Sequence, residues 1–371
     1  MKNIGHKTII LSGGGSGGPV APLLVIAKEL LADANFRLVF VGTKTGPEKS
    51  MIESLAVSDK QKLKFISIPA GKWRRYFSLL NFFDLLKILS AFLISFSLLR
   101  REAPSLVISA GGFVSVPLVW AAYFKKIPII IHQQDVRPGL ANRLMAPAAR
   151  LITVTFEKSL RDYGPRAVWI GNPAASLDNP EEAVQNIKEK YQLSDSKPLV
   201  LVTGGATGAT AINDLVIAAK TEILEFAQII HITGKGKLAS LNIDSNSASG
   251  YQAFELLSPD DIFQLMAAAQ LVVSRCGLAT LTELCELAKP AILIPIPKSQ
   301  QEDNAAIFQR LHAAIVLQQG ELEAASFAAQ VKDTLNNQAK LNKLATNISK
   351  VMKRNASETM LVLIKEILAA K

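Results

Sequence analysis

Leu199-Val200-Leu201-Val202-Thr203 runs straight into Gly204-Gly205-Ala206-Thr207-Gly208, and Ala209 to Ala219 then carries apolar residues at helical spacing. A buried strand, a glycine turn and a helix in that order bring backbone N–H groups and a helix N-terminus close to a guest, an arrangement suited to phosphate. A near-copy lies upstream: Thr8 to Ser12, then Gly13-Gly14-Gly15-Ser16-Gly17-Gly18, then a helical pattern to Leu31. The two loops start 191 residues apart in a chain of 371. Their repetition predicts two nucleotide-binding-like halves.

Between and after these loops, short β-rich runs alternate with helical stretches. The first series is Thr8–Ser12, Arg37–Val41, Lys64–Ile68, Leu106–Ser109, Ile129–His132, Leu151–Thr155 and Val168–Ile170. The second is Leu199–Thr203, Ile229–Ile232, Gln252–Leu256, Leu271–Ser274, Ala291–Ile294 and Ala314–Leu317. Their apolar residues are consecutive rather than alternating, as in parallel strands covered on both faces. Both series therefore read as doubly wound α/β sheets. The predicted domains are 1–172 and 173–345, with 346–371 helical and reaching back onto the first.

The balance of 41 basic against 31 acidic side chains leaves a net charge of +10. Such a surface suits phosphorylated substrates or an anionic membrane. Nucleic acid is disfavoured, because tryptophan and tyrosine are scarce and no RNA-binding signature is present. Cys276 and Cys285 stand nine apart without a nearby histidine, which is no zinc pattern and fits a reducing cytoplasm. Ser258-Pro259-Asp260-Asp261 offers an acid pair that a helix start explains without a metal. The N-terminus leads directly into strand and glycine loop, not into a signal peptide.

Gly71 to Arg101 is unusual. Lys72-Trp73-Arg74-Arg75-Tyr76-Phe77 mixes cations with aromatics, and a long apolar stretch follows. Its longest uncharged run, Ile88–Leu99, has 12 residues, short of the ~20 needed to span a bilayer. The segment reads either as a crossover helix buried on the sheet or as an interfacial membrane patch with a basic rim.

Gly13-x-Gly15-x-x-Gly18 matches the dinucleotide fingerprint, but the second strand ends Val41-Gly42-Thr43-Lys44-Thr45 with no acid before Glu48. NAD is thereby disfavoured, while NADP through Lys44 stays open. Arg275-Cys276-Gly277-Leu278-Ala279-Thr280-Leu281-Thr282-Glu283 follows a strand and opens a helix. Its amides suit a diphosphate and Glu283 suits ribose hydroxyls, a capping box being the plain alternative. Ser299-Gln300-Gln301-Glu302-Asp303-Asn304 begins another helix with groups able to read a sugar, or simply a solvated N-terminus. His132 ends a strand and opens a stretch with Asp135 and Asn142, where α/β sheets place their sites. His231 likewise ends a strand just before Gly234, and no role is read for it.

Taken together these stretches resemble the MurG family, the peptidoglycan N-acetylglucosaminyltransferases that convert lipid I to lipid II. The resemblance rests on Gly13 to Pro22, Ala110 to Pro117, His132 to Ala146, Gly171-Asn172-Pro173, Gly204 to Gly208, Arg275 to Glu283 and Gln300 to Asn304. It implies a GT-B fold of two Rossmann-like domains with a cleft between them. The C-terminal domain would hold UDP-N-acetylglucosamine through Gly205, Ala206, Thr207, Gly208, Arg275, Gly277, Leu278, Ala279, Thr280, Glu283, Gln300, Gln301 and Asn304. The N-terminal domain would take a polyprenyl-diphosphate acceptor through Ser16, Gly17, Gly18, Asp135 and Asn142. Lys72, Trp73, Arg74, Arg75, Tyr76 and Phe77 would face the cytoplasmic side of the bacterial membrane, with the protein peripheral to it.

Departures from the family pattern fall mostly in the N-terminal half. Ser16 stands for its threonine, Pro19 for its histidine, and Gln133-Gln134-Asp135 for Glu-Gln-Asn. The arginine usual after Gly-Asn-Pro falls near Ala175, and the Ser-Gln of the second glycine loop reads Ala206-Thr207. The implied reaction is an inverting, metal-independent single displacement without a cofactor. Asp135 is the candidate base, beside His132, since Pro19 has no proton-accepting group. The alternatives are a diverged transferase with another lipid-linked acceptor, a non-catalytic UDP-sugar-binding paralogue, or an NADP oxidoreductase.

Overall fold

A computed structural model describes residues 6–14, 18–55, 62–69, 80–205, 208–241 and 250–370. The chain divides into two compact units. The first joins Met1–Ala175 to Lys353–Lys371, and the second is Ser176–Met352.

In the first unit the strands are β1 (Lys7–Ser12), β2 (Phe36–Gly42), β3 (Leu63–Ser67), β4 (Leu106–Ser109), β5 (Ile129–Gln133), β6 (Leu151–Val154) and β7 (Ala167–Trp169). They form a sheet ordered β3-β2-β1-β4-β5-β6-β7. Every described pairing is parallel. In the second unit β8 (Leu199–Thr203), β9 (Gln228–Ile232), β10 (Tyr251–Phe254), β11 (Leu271–Ser274), β12 (Ala291–Leu293) and β13 (Ile315–Val316) give the order β10-β9-β8-β11-β12-β13, again parallel. The central strands are buried at nearly every position, so both faces need cover. On the first sheet one face packs against the helix Ala21–Ala32 and the helix Ala356–Ala369, whose Met360, Ile364, Ile367 and Leu368 join Ile9, Leu11 and Leu38 in one core. The other face packs against Leu80–Glu102 and Ser115–Phe124 through Ala91, Leu98, Leu118 and Ala122.

Each sheet reverses direction beside its first strand, between β1 and β4 and between β8 and β11. A crevice opens at the carboxyl ends of such strand pairs because their connections leave in opposite directions. Both glycine loops therefore begin at a switch point. Helix Leu80–Glu102 buries Ala91, Leu98 and Leu99 on the sheet, as a crossover helix does, while Leu89, Leu93, Ile94 and Phe96 stay exposed. The cation–aromatic stretch from Lys72 to Phe77 lies outside the described residues, as do Ser16, Gly17, Ala206 and Thr207.

Candidate functional site

In the second unit, β8 and β11 each release a turn that opens a helix: Thr210–Phe226 after the glycine loop and Leu278–Glu286 after Arg275-Cys276-Gly277. Neither helix has a side-chain cap on its first amides. Their neighbours differ. Ser258 caps Pro259–Ala268 by accepting from Asp261 N, and Ser299 caps Gln300–Arg310 by accepting from Gln301 N. Uncapped first-turn amides and the positive end of the helix dipole form a ready anion site. Both uncapped starts line one pocket of about 730 Å³ with Gly204, Gly205, Gly208, Arg275, Gly277, Thr280, Gln301 and Gln319.

The pocket walls are tied together from behind. The Arg275 guanidinium donates to the carbonyls of Ile294 (3.1 Å) and Pro295 (3.2 Å) and to Gln319 Oε1 (2.6 Å). Gln301 Oε1 accepts from the backbone of Cys276 and of Ile296, each at 3.2 Å. Asn304, buried, donates to the Cys276 carbonyl at 3.2 Å. Gln301 and Asn304 thus fix the turn after β11, a part the motif alone did not reveal; Gln300 is exposed. Leu278 and Ala279 open the helix, and Glu283 follows Thr280 by one turn, half-buried. Burial pushes the Glu283 carboxyl up to about 7. Asp260 and Asp261 stand in the first turn of a capped helix, and Asp261 is paired with Lys190 (2.7 Å) and Tyr191 (3.0 Å). Among the described residues no group of three or more metal-ligating side chains comes together.

At the carboxyl end of the first sheet, the turn after β4 presses on the glycine loop after β1. Gly111 and Gly112 both have positive φ, and a Cβ on Gly112 would come within 2.5 Å of the Gly14 carbonyl oxygen. Ser12 Oγ, at the end of β1, lies 2.9 Å from Ser115 Oγ, at the start of the helix that follows β4. Below the loop lies Glu48, fully buried; its Oε1 accepts from Thr43 N (2.6 Å) and Thr43 Oγ1 (2.5 Å). The acid that the dinucleotide fingerprint wanted near β2 is therefore present but turned inward to serve its own turn.

His132 is buried, with Nδ1 at 3.0 Å from Thr153 Oγ1 and Nε2 at 2.8 Å from Asn172 Oδ1. Desolvation lowers its pKa to about 4, so the ring is neutral and both nitrogens are occupied. That geometry orients the turn after β5 and leaves no nitrogen for a substrate proton. Gln133 organises the same turn: its Nε2 donates to the Asp135 carbonyl (2.7 Å), and its Oε1 accepts from Asn142 Nδ2 (2.7 Å) and Tyr163 OH (2.9 Å). Asp135 is half-exposed, and burial raises its carboxyl above the usual range. Three buried atoms in this unit, Glu48 Oε2, Gln134 Nε2 and Asn142 Oδ1, have no hydrogen-bond partner among the described residues. Gly18 is exposed. Sequence reasoning passed over Gln319, whose partner Arg275 lies 44 residues away and which carries no local motif.

The outer face of the first unit exposes Leu93 (61%) and Phe124 (64%) beside Leu89, Phe96 and Tyr123. Lys125 Nζ sits 4.2 Å from the Phe96 ring centroid.

Comparison with known proteins places these features. Residues 9–154 match the glycosyltransferase family 28 N-terminal domain, and residues 199–360 match the glycosyltransferase family 28 C-terminal domain. A Clostridium botulinum UDP-N-acetylglucosamine--N-acetylmuramyl-(pentapeptide) pyrophosphoryl-undecaprenol N-acetylglucosamine transferase is 35% identical, covering 97% of this chain and 99% of the relative. Its Clostridium kluyveri namesake is 38% identical over 85% and 88%. Among solved structures, Acinetobacter baumannii MurG superimposes with a TM-score of 0.74 at 22% identity, covering 97% and 99%. A UDP complex of Staphylococcus aureus MnaA gives 0.67 at 14% identity, covering 98% and 97%. A UDP-N-acetylglucosamine 2-epimerase shares the fold as well, with a TM-score of 0.68 at 10% identity. Fold alone thus does not choose the reaction.

Proposed function

Since the chain belongs to the MurG family within glycosyltransferase family 28 and has its GT-B fold, we propose that it works as follows. It is an N-acetylglucosaminyltransferase that moves N-acetylglucosamine from UDP-N-acetylglucosamine to lipid I, making lipid II. The donor diphosphate is held by the amides that open Thr210–Phe226 and Leu278–Glu286, backed by Arg275. The convergence of two uncapped helix starts on one pocket is the observation that carries this reading. Gly205, Gly208, Gly277, Leu278, Ala279 and Thr280 supply the backbone, and Glu283 accepts from the ribose hydroxyls. Gln301 and Asn304 hold the turn, with Gln300 exposed beside them; Ala206 and Thr207 are assigned to the donor from the sequence and lie outside the described residues.

The acceptor is taken by the first unit at the glycine loop Gly13–Gly18, with Asn142 Oδ1 and Gln134 Nε2 offering an unmatched acceptor and donor. Asp135, its affinity for protons raised by burial, removes the proton from the acceptor's 4-hydroxyl. The freed oxygen attacks the anomeric carbon, the bond from that carbon to the diphosphate breaks, and UDP leaves with inversion. Its growing negative charge is met by amides already in position, so no reorganisation is needed at the moment of transfer.

Membrane contact is supported by the apolar face of Leu89, Leu93, Phe96, Tyr123 and Phe124 with Lys125 alongside, a patch of a kind that marks interaction surfaces. Lys72 to Phe77 extends it by sequence. Among the described residues no helix is long and apolar enough to cross a membrane. The reading is a protein resting peripherally on the cytoplasmic face.

A transfer assay with labelled UDP-N-acetylglucosamine and a lipid I analogue tests the proposal, with and without EDTA. Turnover is expected in both arms. UDP-sugar binding without transfer would make the chain a binding paralogue. Turnover lost in EDTA and restored by magnesium would overturn charge stabilisation by amides and Arg275.

A further inference from the structure

We propose that a buried relay, Tyr251–His231–Asn213–Thr233, sets the position of the second glycine loop and so tunes donor binding from behind the pocket. The inference rests on the pocket's being the UDP site.

The chain of hydrogen bonds has only one consistent direction. The Thr233 carbonyl can only accept, so Asn213 turns its Nδ2 toward it at 3.0 Å. Asn213 Oδ1 then faces His231 Nε2 at 3.0 Å and must accept, which puts the imidazole proton on Nε2. His231 Nδ1 is left to accept from the Tyr251 hydroxyl at 2.9 Å. Asn213, His231 and Thr233 are fully buried, and Tyr251 is nearly so. A buried, fully matched polar network fixes one geometry and tolerates no half-measures. Desolvation keeps His231 neutral, in agreement with this arrangement.

The far end of the relay touches the site. Gly208, at φ +67°, lies so close to the Thr233 carbonyl oxygen that any Cβ there would collide with it. Gly208 and the residues after it line the pocket and supply the first amides of Thr210–Phe226. Thr233 is held from the other side as well, its N–H and Oγ1 donating to the Phe254 carbonyl at 2.9 and 3.2 Å. Movement of Asn213 therefore moves the carbonyl against which the glycine loop rests. None of the four side chains contacts the pocket, so these are positioning residues.

UDP titration calorimetry on the full chain, donor and acceptor KM, and thermal melting test the relay together. Asn213→Asp keeps the shape but opposes a carboxylate to the Thr233 carbonyl, and His231→Leu removes both nitrogens. Each should weaken UDP binding about tenfold or more, the scale of one lost buried hydrogen bond. Donor KM should rise in step while acceptor KM holds. His231→Gln, which can still donate to Asn213, should recover most of the affinity lost in His231→Leu. Nitrogen NMR on the wild type should show His231 protonated on Nε2 only. Folded Asn213→Asp or His231→Leu binding UDP within twofold of wild type would overturn the relay, as would a proton on Nδ1. A wild type that binds no UDP would overturn the donor assignment itself, and the relay with it. Should Asn213→Asp not fold, Tyr251→Phe and the tautomer measurement decide.

Discussion

His132 and His231 end strands in different sheets and make nearly the same bonds. In each, Nε2 meets an asparagine Oδ1 and Nδ1 meets a hydroxyl, and in each burial keeps the ring neutral. Their surroundings differ. Around His231 and the pocket of the second unit the polar inventory is nearly closed: Gln301 Oε1 accepts from two amides, Asn304 Nδ2 donates to a carbonyl, and among the described residues there Arg275 Nε alone is unmatched. Near His132, Gln134 Nε2 and Asn142 Oδ1 are buried without a hydrogen-bond partner among the described residues. Buried polar atoms without a match cost free energy. On the proposed function, the second unit is preorganised for the donor, whereas the first would leave polar groups for the acceptor to match.

If that contrast is right, a change in the first unit should strike turnover and spare donor binding. Asp135→Asn should lower kcat about 10²- to 10⁴-fold, the usual worth of a general base, with UDP affinity unchanged. A fall of less than tenfold would put the base elsewhere.

Where the two units are alike, they should respond alike to acid. Each histidine binds its proton less readily folded than unfolded, so the unfolded chain takes up more protons below the ordinary imidazole value. Stability should therefore fall as pH drops from about 6.5 towards 4, by on the order of 3 kcal/mol per histidine. Glu283 works the other way, since its raised carboxyl makes the folded state the better proton acceptor between about 4.5 and 7. Comparing wild type with His132→Gln and His231→Gln by thermal melting isolates the histidine contribution. Melting points of wild type and variants that stay parallel from pH 7 to 4.5 would refute it.

The membrane face should belong to the first unit alone. Lys72→Glu/Arg74→Glu/Arg75→Glu should lose roughly 3 kcal/mol of affinity for anionic liposomes, at about 1 kcal/mol per cation. Leu93→Glu/Phe124→Glu should weaken cosedimentation as well, and neither variant should alter UDP binding. Equal sedimentation of all three proteins would return the face to a plain crossover helix.

The smallest effect is the most diagnostic for the donor side. Glu283→Ala should cost on the order of 1–3 kcal/mol of UDP affinity by leaving ribose hydroxyls unmatched. Ribose hydroxyls favour the ionised carboxylate, so UDP binding near pH 6.5 should release a proton. Calorimetry in buffers of different ionisation heats reads that release, and identical heats would remove Glu283 from the ribose.

The strands were legible in the sequence because consecutive apolar residues have few other uses, and the observed ends differ by only one or two positions. Val168–Ile170 proved to be Ala167–Trp169, and Gln252–Leu256 proved to be Tyr251–Phe254. The glycine loops were legible for the same kind of reason, since their conformation restricts the residue. The duties of Gln301 and Asn304 were not legible. An amide on a helix looks alike whether it faces a sugar or stitches a turn, and the partners, Cys276 and Ile296, arrive only through the fold. His132 misled in the same way: the end of a strand marks the place of a site, and burial decides what the ring can do there.

Because Met360, Ile364, Ile367 and Leu368 complete the core of the first unit, that unit is finished by residues translated after the whole of the second. On the ribosome the second unit can close as soon as it emerges, while the first waits with one flank of β1 and β2 uncovered. Gly171, packed against the Lys353 carbonyl, marks where the late segment arrives. Nascent chains stalled before residue 356 should therefore engage chaperones through their earliest-made half.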